Sequence, residues 1–135
     1  MTFLFKEEPE NYSFDMFVKD GATTWSGVKN PVAQKYLRSV RTGDLVFYYH
    51  TGQEKAVVGI ARASADAYPD PADATGKSYV VDLVPVKKLA HPVTLAQVKA
   101  DRRFAEFPLT RVPRLSVMPV PDAEWDAILK MSEGV

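Results

Sequence analysis

Trp25 is the residue whose surroundings most invite chemistry. It stands in a polar, glycine-bounded stretch, Thr23-Thr24-Trp25-Ser26-Gly27-Val28-Lys29-Asn30. A large apolar ring in such a place either folds back under the core as an anchor or lines a pocket, where its flat face can stack a ring-shaped ligand. Asn30 closes the stretch, but Asn30-Pro31 is also a helix cap followed by proline at the first helical position. Glu7, Glu8 and Glu10 crowd together, a set able to do acid–base work or simply to solvate a turn before Asn11. The two histidines, His50 and His91, have no His-x-x-x-His or similar partner spacing, so no zinc site is implied. Ser116, His50 and Asp44 are the residue types of a nucleophilic triad, yet no nucleophile-elbow sequence surrounds Ser116. With no cysteine there is no thiolate ligand, no cysteine nucleophile and no disulfide framework. Neither a Gly-x-x-x-x-Gly-Lys-Ser/Thr loop nor a Gly-x-Gly-x-x-Gly turn is present to cradle a nucleotide phosphate.

The elements that must position these residues are short, because ten prolines punctuate the chain. Thr2 to Lys6 alternates as a first strand. Ser13 caps a helix from Phe14 to Asp20 that stops at Gly21, and Asn30-Pro31 opens a second, with Ala33, Tyr36, Leu37 and Val40 at helical spacing. Asp44 to Thr51 alternates again, with Leu45, Phe47 and Tyr49 on one face and Val46, Tyr48 and His50 on the other. Gly52-Gln53 turns the chain into Ala56 to Ala67, where Gly59 marks a bulge or a close backbone approach. Lys77 to Val86 is the next strand, ending near Pro85. Thr94 and Gln97 form a capping box over a helix to Lys99. Arg114 to Val120 reads as the last strand and Asp122 to Met131 as a closing helix with Trp125, Ile128 and Leu129 inward. Consecutive central strands joined by turns predict an α+β domain, a small antiparallel β-barrel with helices packed outside.

Composition sets the outer bounds. A chain of 135 residues, 46% apolar and 25% charged, suits one domain with a real core and excludes intrinsic disorder. The longest run free of Asp, Glu, Lys and Arg, Leu89 to Val98, is ten residues, about half of a membrane span. The N-terminus turns acidic too soon for a targeting peptide. The absence of cysteine fits a reducing cytoplasm, and a monomer is expected. Seventeen basic side chains balance seventeen acidic ones, which argues against strong non-specific nucleic-acid binding through phosphates. The balance is uneven along the chain: residues 85–114 carry a net charge of +5, against −2 before them and −3 after. That segment is a candidate basic surface or a solvated face.

Several segments in order carry a family resemblance. They are Phe-Lys-Glu-Glu-Pro-Glu-Asn-Tyr-Ser-Phe-Asp (5–15), the tryptophan stretch (23–30), Ala-Gln-Lys-Tyr-Leu-Arg (33–38) and Gly-Asp-Leu-Val-Phe-Tyr-Tyr-His (43–50). Val-Val-Gly-Ile-Ala (57–61), Ala-Tyr-Pro-Asp-Pro (67–71), Val-Asp-Leu-Val-Pro-Val (81–86), Pro-Val-Thr-Leu (92–95) and Arg-Leu-Ser-Val-Met-Pro-Val (114–120) continue it. The whole chain resembles the EVE domain family, a branch of the PUA-like superfamily that also holds ASCH domains and the YTH readers of methylated RNA. The resemblance implies one domain over residues 1–135, a PUA-like barrel without cofactor or metal. It implies a non-enzymatic module whose aromatic pocket reads a modified base, chiefly modified cytosine, in DNA or RNA. Its pocket would draw on Trp25 and Asn30, on Lys6 and Glu7, on Tyr49 and His50, and on Arg114, Leu115 and Ser116. This chain departs from the family pattern twice. Lys6-Glu7-Glu8-Pro9 replaces the usual Lys-Ser-Glu-Pro, putting a carboxylate where a hydroxyl is usual, and Asn30-Pro31-Val32 replaces Asn-Tyr-Gln. The rival readings are an enzyme acting on a small nucleoside-like molecule, with Glu7 or His50 as acid or base, and a protein-interaction domain.

Overall fold

In the computed structural model, which describes residues 1–134, the chain opens with β1 (Thr2–Glu7), α1 (Pro9–Tyr12), α2 (Phe14–Asp20), β2 (Thr23–Trp25) and α3 (Pro31–Arg38). It continues through β3 (Leu45–His50), β4 (Ala56–Ala63), β5 (Tyr68–Pro69), the long β6 (Tyr79–Thr94) and α4 (Leu95–Lys99). A 3-10 turn (Arg102–Phe104), α5 (Pro108–Arg111), β7 (Val117–Pro119) and α6 (Asp122–Ser132) complete it. The main sheet runs β2-β6-β4-β3-β1-β7, with β5 paired to β6.

The expected α+β class, curled sheet and peripheral helices are all present, with one correction to the strand directions. β1 pairs with β3 in parallel, Phe5 beside Tyr48 and Glu7 beside His50, so the sheet is mixed rather than antiparallel. The hairpin-connected strands β3 and β4 are antiparallel, as a tight turn requires. The path from β1 to β3 instead passes through α1, α2, β2 and α3, and a crossover of that length delivers a strand in either direction.

The sheet closes on itself around aromatic rings. β2 and β1 are four strand steps apart in the sheet order, about 19 Å if it were flat. Yet Trp25 on β2 lies 5.5 Å, ring to ring, from Phe5 on β1 and 5.4 Å from Tyr48 on β3. Only a curled sheet brings those edges together. Phe14 and Phe17 of α2 pack their rings against Tyr48 inside the same face. The opposite face is covered by α6, where Trp125 stacks on Phe47 with ring centroids 3.7 Å apart.

Gly59 explains how α2 gets so close. A Cβ at Gly59 would lie 2.4 Å from two ring carbons of Phe14, and the β4 pairing slips register beside it, between Val57 and Gly59 and again between Ile60 and Ala61. Bulge and close approach are both realised at that glycine. Pro85 falls inside β6, opposite Ala61 at the second slip, where a missing N–H interrupts no regular ladder. Trp25 itself belongs to a short strand and not to a loop, because Thr23 to Trp25 pairs with Val81 to Leu83.

Candidate functional site

The end of β1 and the start of α1 build one wall of a cleft. Pro9 starts α1, and the Glu7 carboxylate reaches forward over that turn, where its Oε1 accepts hydrogen bonds from the Glu8 N–H at 2.9 Å and from Asn11 Nδ2 at 3.2 Å. Oε2 has no partner among the described residues. Tyr12, at the end of α1, donates its hydroxyl to Asp20 at 2.8 Å and accepts the Tyr48 hydroxyl on its carbonyl. β2 supplies the other wall, with Thr23, Thr24, Trp25 and then Ser26. The enclosed volume is about 210 Å³, below the roughly 300–1,000 Å³ of a drug-sized ligand's site, and so suited to one small ring.

Trp25 is anchor and wall together. It is 7% exposed, its indole packs against Phe5 and Tyr48, and it is among the residues that line the cleft. Tyr48 beneath it is fully buried, and burial first, then the nearby Glu7 charge, holds its phenol far above the ordinary value. Burial likewise raises Tyr12, with its bond to Asp20 adding to the effect. The cleft therefore presents the Tyr12 phenol, hydroxyls and one carboxylate to a ligand, with Tyr48 buried beneath.

His50 pairs in register with Glu7 but turns its ring to structural work. It is 7% exposed; Nε2 accepts the Phe14 N–H at 3.0 Å, and Nδ1 lies 2.7 Å from Glu54 Oε1. The first bond fixes the tautomer, with the proton on Nδ1 donated to Glu54. Phe14 N is one of the free donors at the start of α2, and Ser13 Oγ caps another, Met16 N, at 3.1 Å. Both imidazole nitrogens are thus occupied.

The remaining residues expected at the pocket do not converge there. Strand alternation puts Lys6 on the opposite face from Glu7. Its Nζ donates to the Pro113 carbonyl at 2.8 Å and lies 5.6 Å from the Tyr49 ring centre. Lys6 and Tyr49 share a separate cleft of about 270 Å³ with Lys55, Lys99, Leu95 and Leu109. Burial lowers the Lys6 ammonium from its usual value and pushes the Tyr49 phenol up to about 12. Asn30 is spent as a cap, its Oδ1 accepting from Val32 N at 2.9 Å and Ala33 N at 3.1 Å. Arg114 is exposed and Leu115 is buried in the core, while the half-buried Ser116 accepts the Lys6 N–H on its carbonyl at 2.9 Å. The structure brings together Glu7 and Trp25. Sequence reasoning missed Asn11, Tyr12, Thr23, Thr24 and Ser26 as lining residues; position beside Glu7 or Trp25 was the one signal available. Among the described residues, no cluster of three or more His, Asp or Glu side chains could hold a metal ion, and no helix is long and apolar enough to cross a membrane.

Comparison with known proteins gives a family match. The EVE domain model matches residues 1–131. Rpa0253 from Rhodopseudomonas palustris, solved by NMR, is 43% identical and superimposes with a TM-score of 0.94, covering 99% of this chain and 94% of that one. Human thymocyte nuclear protein 1 is 27% identical over 134 residues, covering 82% of this chain; the chain spans about 60% of that protein's length. A crystal structure of human THYN1 in complex with 5-methylcytosine containing DNA is 25% identical, with a TM-score of 0.89, and covers 98% of this chain and 97% of that one.

Proposed function

The chain belongs to the EVE domain family, and from that premise we propose that it is a non-enzymatic nucleic-acid-binding module that takes a modified base into the cleft beside Trp25. Modified cytosine is the favoured base, carried on DNA or RNA. The observation that carries this reading is the single-ring cleft of about 210 Å³ between Glu7 and Trp25; the human relative's complex with 5-methylcytosine containing DNA supports it.

The chemistry fits a cytosine. Its exocyclic amino group is a donor, and the open Oε2 of Glu7 is an acceptor. The hydroxyls of Thr23 and Ser26 can meet the other polar edge atoms, Thr24 being engaged by Asp82, and Trp25 in the lining offers an apolar contact for a 5-substituent. A base must leave its stack to enter, which costs a few kcal/mol, while an aromatic contact returns about 1–3 kcal/mol. An acid–base role for His50 is disfavoured, because both of its ring nitrogens are engaged by Phe14 and Glu54.

The test is a titration with oligonucleotides that differ at one base, cytosine, 5-methylcytosine or 5-hydroxymethylcytosine, as DNA and as RNA. Tighter binding of a modified form, lost in Trp25→Phe with the fold intact, is the expected result. Equal affinity for all three bases overturns the reading, as does release or deamination of the base on incubation.

A further inference from the structure

A larger cleft, about 540 Å³, lies elsewhere, between α3 and the start of β6. Lys29, Lys35, Arg38 and Lys77 line it, and no carboxylate does. None of these side chains forms an ion pair among the described residues. Three cations of the segment 85–114 are matched: Lys88 with Asp15, Arg103 with Asp101, Arg111 with Glu106. Three of the seven cations in that segment are thus paired, whereas all four that line this groove are unpaired among the described residues.

The groove is also built rather than accidental. Gln34, 7% exposed, ties its walls together by donating to the Val28 carbonyl at 2.7 Å and accepting the Tyr79 N–H at 3.0 Å. Arg38 lies over the Tyr79 ring at 4.8 Å and donates to the Lys77 carbonyl. These contacts fix the guanidinium plane in advance, so little freedom is lost when it meets an anion. One loop joins the groove to the cleft described above: Ser26 lines the Trp25 cleft, Val28 and Lys29 line the groove, and Gly27, with φ +76°, turns the chain between them. Two residues of chain span at most about 7 Å.

We propose that this groove binds the phosphodiester backbone of the nucleic-acid strand beside the base held at Trp25. The proposal rests on the reading of the Trp25 cleft as a base site. In a protein of zero formal charge, attraction to phosphate has to be local, and here an unpaired cationic groove stands next to a cleft for one ring. The groove contributes affinity without sequence preference, and the cleft contributes the choice of base.

The test is the salt dependence of oligonucleotide binding by the full chain and by Lys29→Gln/Lys35→Gln/Lys77→Gln, in which Arg38 is spared because it packs on Tyr79. Each lost phosphate contact removes about 0.7 from the slope of log affinity against log salt for a single strand, hence about 2 for the triple variant. Modified and unmodified oligonucleotides should weaken by the same factor. Lys55→Gln/Lys99→Gln, in the other cationic cleft, should leave the slope unchanged. An unchanged slope in the triple variant, with discrimination between bases retained, overturns the groove and leaves the base site standing. A reduced slope in a protein that never discriminated between bases supports the groove and overturns the base site. A slope lost instead in the Lys55/Lys99 variant, no oligonucleotide binding by the parent, or capture of a polyglutamate peptide in its place each overturns the groove proposal.

Discussion

Replacing Gly59 by alanine sets two effects against each other, and the structure decides between them. Alanine is the better strand residue, by roughly 0.5–1 kcal/mol of backbone freedom. Against this, its Cβ would meet three ring carbons of Phe14 at 2.4, 2.4 and 2.6 Å, about 1 Å inside ordinary contact. The ring has nowhere to go: Phe17 meets it edge-on at 5.7 Å and Tyr48 at 5.4 Å, and the Phe14 N–H is held by His50. Overpacking of this kind costs about 1–3 kcal/mol, and an overlap this deep belongs to the upper part of that range, so the net change should be destabilising by about 1–2 kcal/mol, a loss of roughly 3–7 °C in melting temperature for a chain of this size. Because Phe14 begins the helix behind Tyr12, relief by moving α2 would also deform the Trp25 cleft. Urea unfolding of Gly59→Ala, Phe14→Leu and the double variant measures the coupling. The double variant should be more stable than the two single losses predict, by about 1–3 kcal/mol. A neutral or stabilising Gly59→Ala would refute the close approach.

Trp25→Ala should unfold the protein partly or wholly, since truncating so buried an indole costs about 3–5 kcal/mol; thermal melts of Trp25→Ala and Trp25→Phe should separate this loss from any loss of binding. His50→Leu leaves the Phe14 N–H without its acceptor, a cost of about 1–3 kcal/mol, and His50→Gln, which keeps an acceptor, should be milder in the same urea assay. Stability should fall as pH rises above about 10, where unfolded tyrosines ionise, by about 1.4 kcal/mol per pH unit for each phenol retained. Tyr49, held up to about 12, and Tyr48, held higher, keep their protons in the folded state, whereas the lowered Lys6 acts in the opposite sense only up to its ordinary 10.5; a flat profile from pH 9 to about 11.5 would refute it. Glu7→Ser should strengthen oligonucleotide binding at low salt and narrow the difference between cytosine-modified and adenine-modified oligonucleotides, because it removes both a charge that repels phosphate and the acceptor for an amino group. Four indistinguishable affinities at two salt concentrations would remove Glu7 from the site.

Much of the fold was legible because its signals are local. Alternation located β1 and β3, and Ser13, Asn30 and Thr94 each make the cap their type and spacing indicate. Gly59 marked its close approach, and Trp125 its inward place. Pairing partners are another matter. The parallel match of β1 with β3 depends on where a crossover of more than thirty residues returns, and nothing in either strand encodes that direction. Trp25 looked like a loop residue because Thr-Thr-Trp is too short to show a period; only its partner Val81 makes it a strand.

Of the residues expected at the pocket, Glu7 and Trp25 share the candidate cleft and the others do not, for one physical reason: a site is made by faces, whereas a motif is made by neighbours. Lys6 and Glu7 are adjacent in sequence, yet the pleat sends one toward Pro113 and the other toward Asn11. Tyr49 and His50 part in the same way, and His50 then loses its chemistry to a helix start. Charge obeys the same logic. Residues 85–114 hold the densest run of cations, but Lys88, Arg103 and Arg111 are held in ion pairs by Asp15, Asp101 and Glu106. The unpaired groove draws Lys29, Lys35 and Arg38 from one segment and Lys77 from another forty residues away, within residues 1–84, whose net charge is −2. Net charge per segment therefore points away from the surface on which a phosphate backbone would meet the least resistance.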